Sequence, residues 1–212
     1  MKLQRLAATA LALLTGFALL LQLFIVLQVR YAAGLSLMGG LGHFFGYFTI
    51  LTNLLVAVTL SWPLLQPASR LGRLLARADV CTGVATNIAL VGLIYSLLLR
   101  QIWQPQGAQW LADELLHDVV PVLFLLYWFW AVPRIAPRLA QALQWAVYPM
   151  VYLVYALLRG AWFGSYPYPF LDVAKLGSGR VALSSIGVFV VFLAIAFLLM
   201  ALNQLKPAAR AA

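Results

Sequence analysis

Six long apolar runs, separated by short segments rich in charge, proline and glycine, dominate the chain. They extend from about Leu6 to Val29, His43 to Leu65, Asp79 to Leu99, Leu111 to Val132, Gln141 to Leu158 and Val181 to Leu202. At about 1.5 Å per residue, each is long enough to cross a bilayer as a helix. The pattern predicts an all-α polytopic membrane protein, a single bundle of six transmembrane helices forming one domain over residues 1–212. The first run follows a short basic segment, as a signal peptide does. Its apolar core is longer than the usual 7–15 residues and no small-residue cleavage site follows, so a retained helix is expected. Asp79 stands where an N-cap would open the third helix, and Pro133 and Pro137 end the fourth.

Composition agrees with that pattern. Of 212 residues 65% are hydrophobic and 9% charged, far below the roughly 25% charged of soluble domains. The mean hydropathy is +0.97. The net charge of +9 does not point to nucleic acid, because the basic residues lie in short loops, where they set orientation. Lys2, Arg5, Arg70, Arg73, Arg77, Arg134, Arg138, Lys206 and Arg210 fall on one side; Arg30, Arg100, Arg159, Lys175 and Arg180 fall on the other. The excess on the first side predicts both termini in the cytoplasm. The single cysteine, Cys81, excludes an internal disulfide.

Two apolar runs carry polar residues where lipid favours leucine. Phe44 to Asn53 reads FFGYFTILTN and Leu116 to Pro121 reads LHDVVP. Thr49 lies six residues after His43 and His117 six after Leu111, so each sits roughly 9 Å in from the same side. A hydroxyl and an imidazole at matched depth can form a nucleophile and its base. Asp113, Glu114 or Asp118 can orient the imidazole; spacing leaves the choice open. The ordinary account of Asp113 and Glu114 is a first-turn position that suits the helix dipole. Threonine in an apolar helix more often bonds its own i−4 carbonyl, whereas an ionisable His117 in such a helix is a functional candidate by default. Thr52 and Asn53 lie a turn deeper. Asn53 and Asn87 are expected to bond neighbouring helices or each other.

On the fifth run, Tyr148, Tyr152, Tyr155 and Arg159 form a stripe, either a packing face with a snorkelling cation or a holder for an anionic head group. The aromatic loop from Gly160 to Arg180 is expected to lie over the bundle as a lid or to join an interfacial aromatic belt. Within it, Asp172 can pair with Arg159 or reach His117. A rival metal constellation would gather His43, Asp113, Glu114, His117 and Asp118, but no ligand motif is present, and neither metal nor cofactor is expected.

FFGYFTILTNLLV followed by HDVVPVLFLLYWF, with YPYPFLDV in the last loop, resembles the prokaryotic six-transmembrane-helix family of membrane proteins. More distantly it is similar to the androgen-induced and androgen-dependent membrane hydrolases. Those cleave fatty acid esters of hydroxy fatty acids with an intramembrane threonine and histidine. The resemblance implies an integral protein of a bacterial inner membrane and a lipid or fatty acyl substrate. It implies Thr49 as nucleophile, Thr52 as the alternative, and His117 as base. The competing expectation is a small transporter or lipid-binding protein with His117 and Asp118 as a proton relay.

Overall fold

A computed structural model describes residues 2–136 and 138–205. Pro137, Lys206 and Arg210, used above for a helix stop and for the charge bias, lie outside the described residues. Among the described residues six helices are long and apolar enough to cross a membrane: α1 Lys2–Ala32, α2 Phe48–Leu65, α3 Ala78–Leu99, α4 Gly107–Ala131, α5 Leu139–Phe163 and α6 Ser178–Leu205. Shorter helices cover Leu37–Phe44, Arg70–Leu75 and Val173–Leu176, with a 3₁₀ turn at Pro169–Leu171.

The most buried of the six is α3, which packs on α2, α4, α5 and α6. Its small residues, Gly83, Ala85, Ala89 and Gly92, permit the close approach that this position requires. Around it, Val56, Ile88, Val120, Phe124, Trp128 and Phe192 form the core. Helix α1 packs on α2, on α4 and on the short helix Leu37–Phe44. Large apolar side chains remain exposed on the outward faces, among them Leu13, Leu97, Leu126, Val147 and Leu183. An apolar surface of that extent suits lipid rather than water. Gln4 and Arg5 share a cavity with Val132 and Pro133, and Asn203 bonds Ile135. The two described ends of the chain therefore lie at one end of the bundle, with the α4–α5 turn.

Three local expectations are corrected. The second run is not one helix from His43: it stops at Phe44 and restarts at Phe48. Helix α4 begins at Gly107, so Asp113 and Glu114 lie beyond its first turn, where the first-turn dipole account does not apply. Arg77, not Asp79, is the N-cap of α3, and Asp79 sits in the first turn, bonded to Arg77.

Candidate functional site

The break before α2 sets the position of Thr49. The amides of Phe45 and Gly46 turn back on to Leu41 and His43. From α5, the aromatic stripe grips this turn residue by residue. Tyr155 donates to the Phe45 carbonyl (3.3 Å), Tyr152 to the Gly46 carbonyl (2.9 Å), and Arg159 to the Gly42 carbonyl (3.5 Å). The Tyr148 and Thr52 hydroxyls meet at 3.2 Å. Helix α2 restarts from Tyr47, which makes no side-chain capping bond. Thr49 thus falls in a first turn, whose N–H groups have no partner within the helix. The partner for Thr49 N–H comes from the last loop: the Tyr168 hydroxyl accepts it at 3.3 Å.

His117 is positioned by a different irregularity. Leu115–Val119 is a π-helical turn, with Val120 N–H bonded to the Leu115 carbonyl. Pro121 has no N–H, so in this register the Leu116 carbonyl loses its donor. Asn53 supplies one: its Nδ2 donates to Leu116 O (3.1 Å) and to Thr49 O (2.8 Å). A buried amide thereby ties the turn of Thr49 to the turn of His117, and the carbonyl stays satisfied in an apolar setting. A second π-helical turn, Tyr95–Leu99 on α3, faces it. Between the two, Gly92 allows contact: a Cβ there would lie 3.0 Å from the His117 carbonyl oxygen.

These turns bring Thr49 Oγ1 to 3.2 Å from His117 Nε2. The proton order follows from the partners. His117 Nδ1 faces two acceptors, the Asp113 carbonyl at 2.9 Å and the Asp113 carboxylate at 3.3 Å. In the neutral imidazole the proton therefore sits on Nδ1, and Nε2 accepts from the Thr49 hydroxyl. Asp113 is buried and its other oxygen receives the Tyr95 hydroxyl. The Tyr95 ring stacks on the imidazole at 4.0 Å and 17°. Arg100 lies over the same ring and pairs with Glu114 and Asp118. Asp113, from among three candidates, is thus the carboxylate behind the imidazole.

Two cavities meet at Thr49. A chamber of about 560 Å³ is lined by apolar residues of α1 and by Arg30, His43, Tyr47, Gln109, Asp113 and His117. Gln22 and Gln109 close one wall with a reciprocal amide pair. On the other side, an apolar slot of about 80 Å³ runs between α3, α5 and α6, past Ile94, Met150, Leu153 and Phe189. Thr49, Tyr95, Leu99 and Tyr168 border both. The chamber mouth is cationic. Arg30 lines the chamber and Arg159 acts on His43 at its rim, both bonding backbone carbonyls, while the one acidic residue of the lining, Asp113, is turned to His117 and Tyr95. Burial, and then the charges of Arg159 and Arg30, hold His43 below its ordinary pKa.

Thr49, His117, Asp113 and Asn53 therefore converge, while other candidates do not. Thr52 bonds Tyr148, with no bond to His117. Asp118 is held by Arg100. Arg159 serves the backbone, and Asp172 pairs with neither Arg159 nor His117. Instead Asp172 caps the short helix Val173–Leu176 and pairs with Lys175, the nearer cation in sequence. Asn53 and Asn87 are not bonded to each other; Asn87 bonds the Gly83 carbonyl of its own helix. His43 bonds Tyr47 rather than joining the acids. Among the described residues no cluster of three or more His, Cys, Asp or Glu is placed to hold a metal ion. Two site residues escaped the sequence reading, Tyr95 and Tyr168. The only signal for Tyr95 was its depth, four residues before the end of a run. For Tyr168 it was a tyrosine held between two prolines. Comparison of the chain with protein-family models, curated proteins and solved structures returned no match.

Proposed function

We propose that the chain is an integral membrane hydrolase of lipid esters, fatty acid esters of hydroxy fatty acids or related compounds, acting through Thr49 and His117. One observation carries this reading: a buried threonine hydroxyl 3.2 Å from an imidazole whose far nitrogen is fixed by a carboxylate, at the meeting point of two cavities. The arrangement has the roles of a nucleophile, a base and an orienting acid. His117 takes the Thr49 proton as Oγ1 attacks the ester carbonyl. The tetrahedral intermediate collapses, the alcohol leaves with the proton from His117, and an acyl-Thr49 remains. Water, activated by the same imidazole, releases the acid.

A chamber of about 560 Å³ lies within the range of small-ligand sites, roughly 300–1,000 Å³. Its cationic mouth suits a substrate with an anionic or strongly polar end. The apolar slot accepts the first carbons beyond the scissile carbonyl. Half-exposed Met150 lets a longer chain continue to the outward apolar face. In this reading the six helices span a bacterial inner membrane with both termini cytoplasmic, and the chamber opens on the opposite side.

The test is hydrolysis of a panel of lipid and hydroxy-fatty-acid esters by purified protein in detergent, with a chelator control. Thr49→Ala and His117→Ala should each lose about 10³-fold or more in kcat. Thr52→Ala should retain most activity, because its hydroxyl serves Tyr148. Folded protein that turns over no ester would contradict the reading, and loss of activity with chelator would replace it with a metal site. A proton relay through His117 and Asp118 draws less support, since Asp118 is committed to Arg100.

A further inference from the structure

The remaining requirement of such a site is a pair of donors for the oxygen on which negative charge develops. Candidates near Thr49 are few. Both hydrogens of the Asn53 amide are used on backbone carbonyls. Tyr47 is 3.3 Å from His43 Nε2, at the chamber mouth. Tyr168 is different. Its hydroxyl lies 3.3 Å from Thr49 N and 3.4 Å from Thr49 Oγ1. With Thr49 O–H turned to His117 and Thr49 N–H donating to the phenol oxygen, the phenol proton is available to Thr49 Oγ1, 3.4 Å away.

We propose that Tyr168 is a catalytic residue, whose O–H, together with the Thr49 backbone N–H, receives the ester carbonyl oxygen as it becomes an oxyanion. This rests on the hydrolase reading above. When the Thr49 Oγ1–carbon bond forms, the π pair of the carbonyl moves on to its oxygen and the Thr49 proton moves to His117 Nε2. The new anion hangs one carbon from Oγ1, beside both donors. The N–H belongs to the first turn of α2, where the helix dipole favours negative charge. On collapse the π bond re-forms and the alcohol oxygen leaves with its bonding pair and the proton from His117. Tyr168 gives a hydrogen bond throughout and keeps its proton. Burial raises its pKa, which keeps it a donor.

The loop is built to hold this phenol still. Pro167 and Pro169 fix the backbone on either side. The Tyr168 ring stacks on Phe170 (5.3 Å, 5°) and meets the edge of Tyr47 (5.8 Å, 83°). Tyr166 rests directly on Gly160, where a Cβ would come within 2.1 Å of its ring. With the ring held in place, only the phenol proton and the Thr49 N–H, which serve each other's residue before the reaction, must turn to the oxyanion, so the reorganisation is small.

The experiment compares wild type, Thr49→Ala and Tyr168→Phe in ester hydrolysis. It also measures binding of a long-chain trifluoromethyl ketone, which adds to a nucleophile as a tetrahedral species, and of the matching unreactive ether. Tyr168→Phe should lower kcat about 10²-fold with little change in KM. Ketone affinity should fall alongside, with ether affinity unchanged and the melting temperature lowered by no more than the loss of one buried hydrogen bond accounts for. If Tyr168→Phe fails to fold, 3,5-difluorotyrosine at position 168 keeps the ring and hydroxyl. Its more acidic phenol should move the alkaline limb of kcat to lower pH. Full kcat in Tyr168→Phe, equal loss of ketone and ether binding, or an unmoved alkaline limb would overturn the proposal. Turnover that needs Thr49 but not the phenol would remove this proposal alone. A wild type without Thr49-dependent turnover would remove the hydrolase reading as well.

Discussion

Helices α2 and α3 both carry threonine and asparagine within apolar runs, and they use the threonines in opposite ways. Along α3, Thr82, Thr86 and Asn87 each donate to a carbonyl four residues back in the same helix, at 2.7 to 2.9 Å. Thr82 also accepts from Trp128, which ties α3 to α4. Their donors are spent on their own helix, and none of the three lines either cavity at Thr49. On α2, Thr49 bonds His117 and Tyr168, residues 68 and 119 positions away, and borders two cavities. The residue types are shared; what separates glue from a candidate site is where the bonds go. A threonine that spends its proton on its own backbone has nothing left for chemistry. Thr49 is spared that bond because the helix restarts at Phe48 and leaves no i−4 helical carbonyl to take it.

The comparison is broken most severely by removing the charge behind His117. Asp113→Asn keeps the shape and the Tyr95 contact but removes the carboxylate that fixes the Nδ1 proton. About 10²-fold or more in kcat should be lost, with the helical circular dichroism and melting behaviour retained. A subtler disturbance is Gly92→Ala. The added methyl meets the His117 carbonyl at 3.0 Å and Pro121 Cβ at 3.3 Å, and neither group yields easily. Displacing the His117 turn by a few tenths of an ångström should cost about tenfold in kcat, because reacting groups tolerate little misplacement. The smallest effect belongs to α3. Thr86→Val replaces a self-bonded hydroxyl with a methyl of similar shape. Turnover should be unchanged, and chemical denaturation should show a stability change within about 1 kcal/mol.

Much of this contrast was legible in the sequence, and what was not has a physical reason. The six helices follow from run length alone. Depth suggests the pairing of Thr49 with His117, but from misplaced starting points: α2 opens at Phe48 and α4 at Gly107, so Thr49 stands at the start of its helix and His117 well inside its own. Depth does not carry rotation. Thr52, one turn on, faces Tyr148 instead, and only packing decides that. The restart at Phe48 left little trace, because the turn before it is held from outside by Tyr152, Tyr155 and Arg159 rather than by proline. Asp172 shows the opposite failure. Its short spacing to Lys175 already described an N-cap and an i,i+3 pair, and a long-range role was read over a local one. Tyr168 reaches Thr49 by a loop closure that no local pattern encodes.

The most direct test of the account is a search for the acyl-enzyme. Purified protein is mixed with an excess of a long-chain activated ester, quenched in acid within the first turnovers and mapped by peptide mass spectrometry. The account predicts one acyl group on the peptide containing Thr49, absent in Thr49→Ala and strongly reduced in His117→Gln. An adduct on Thr52, or ester turnover that survives Thr49→Ala undiminished, would contradict it.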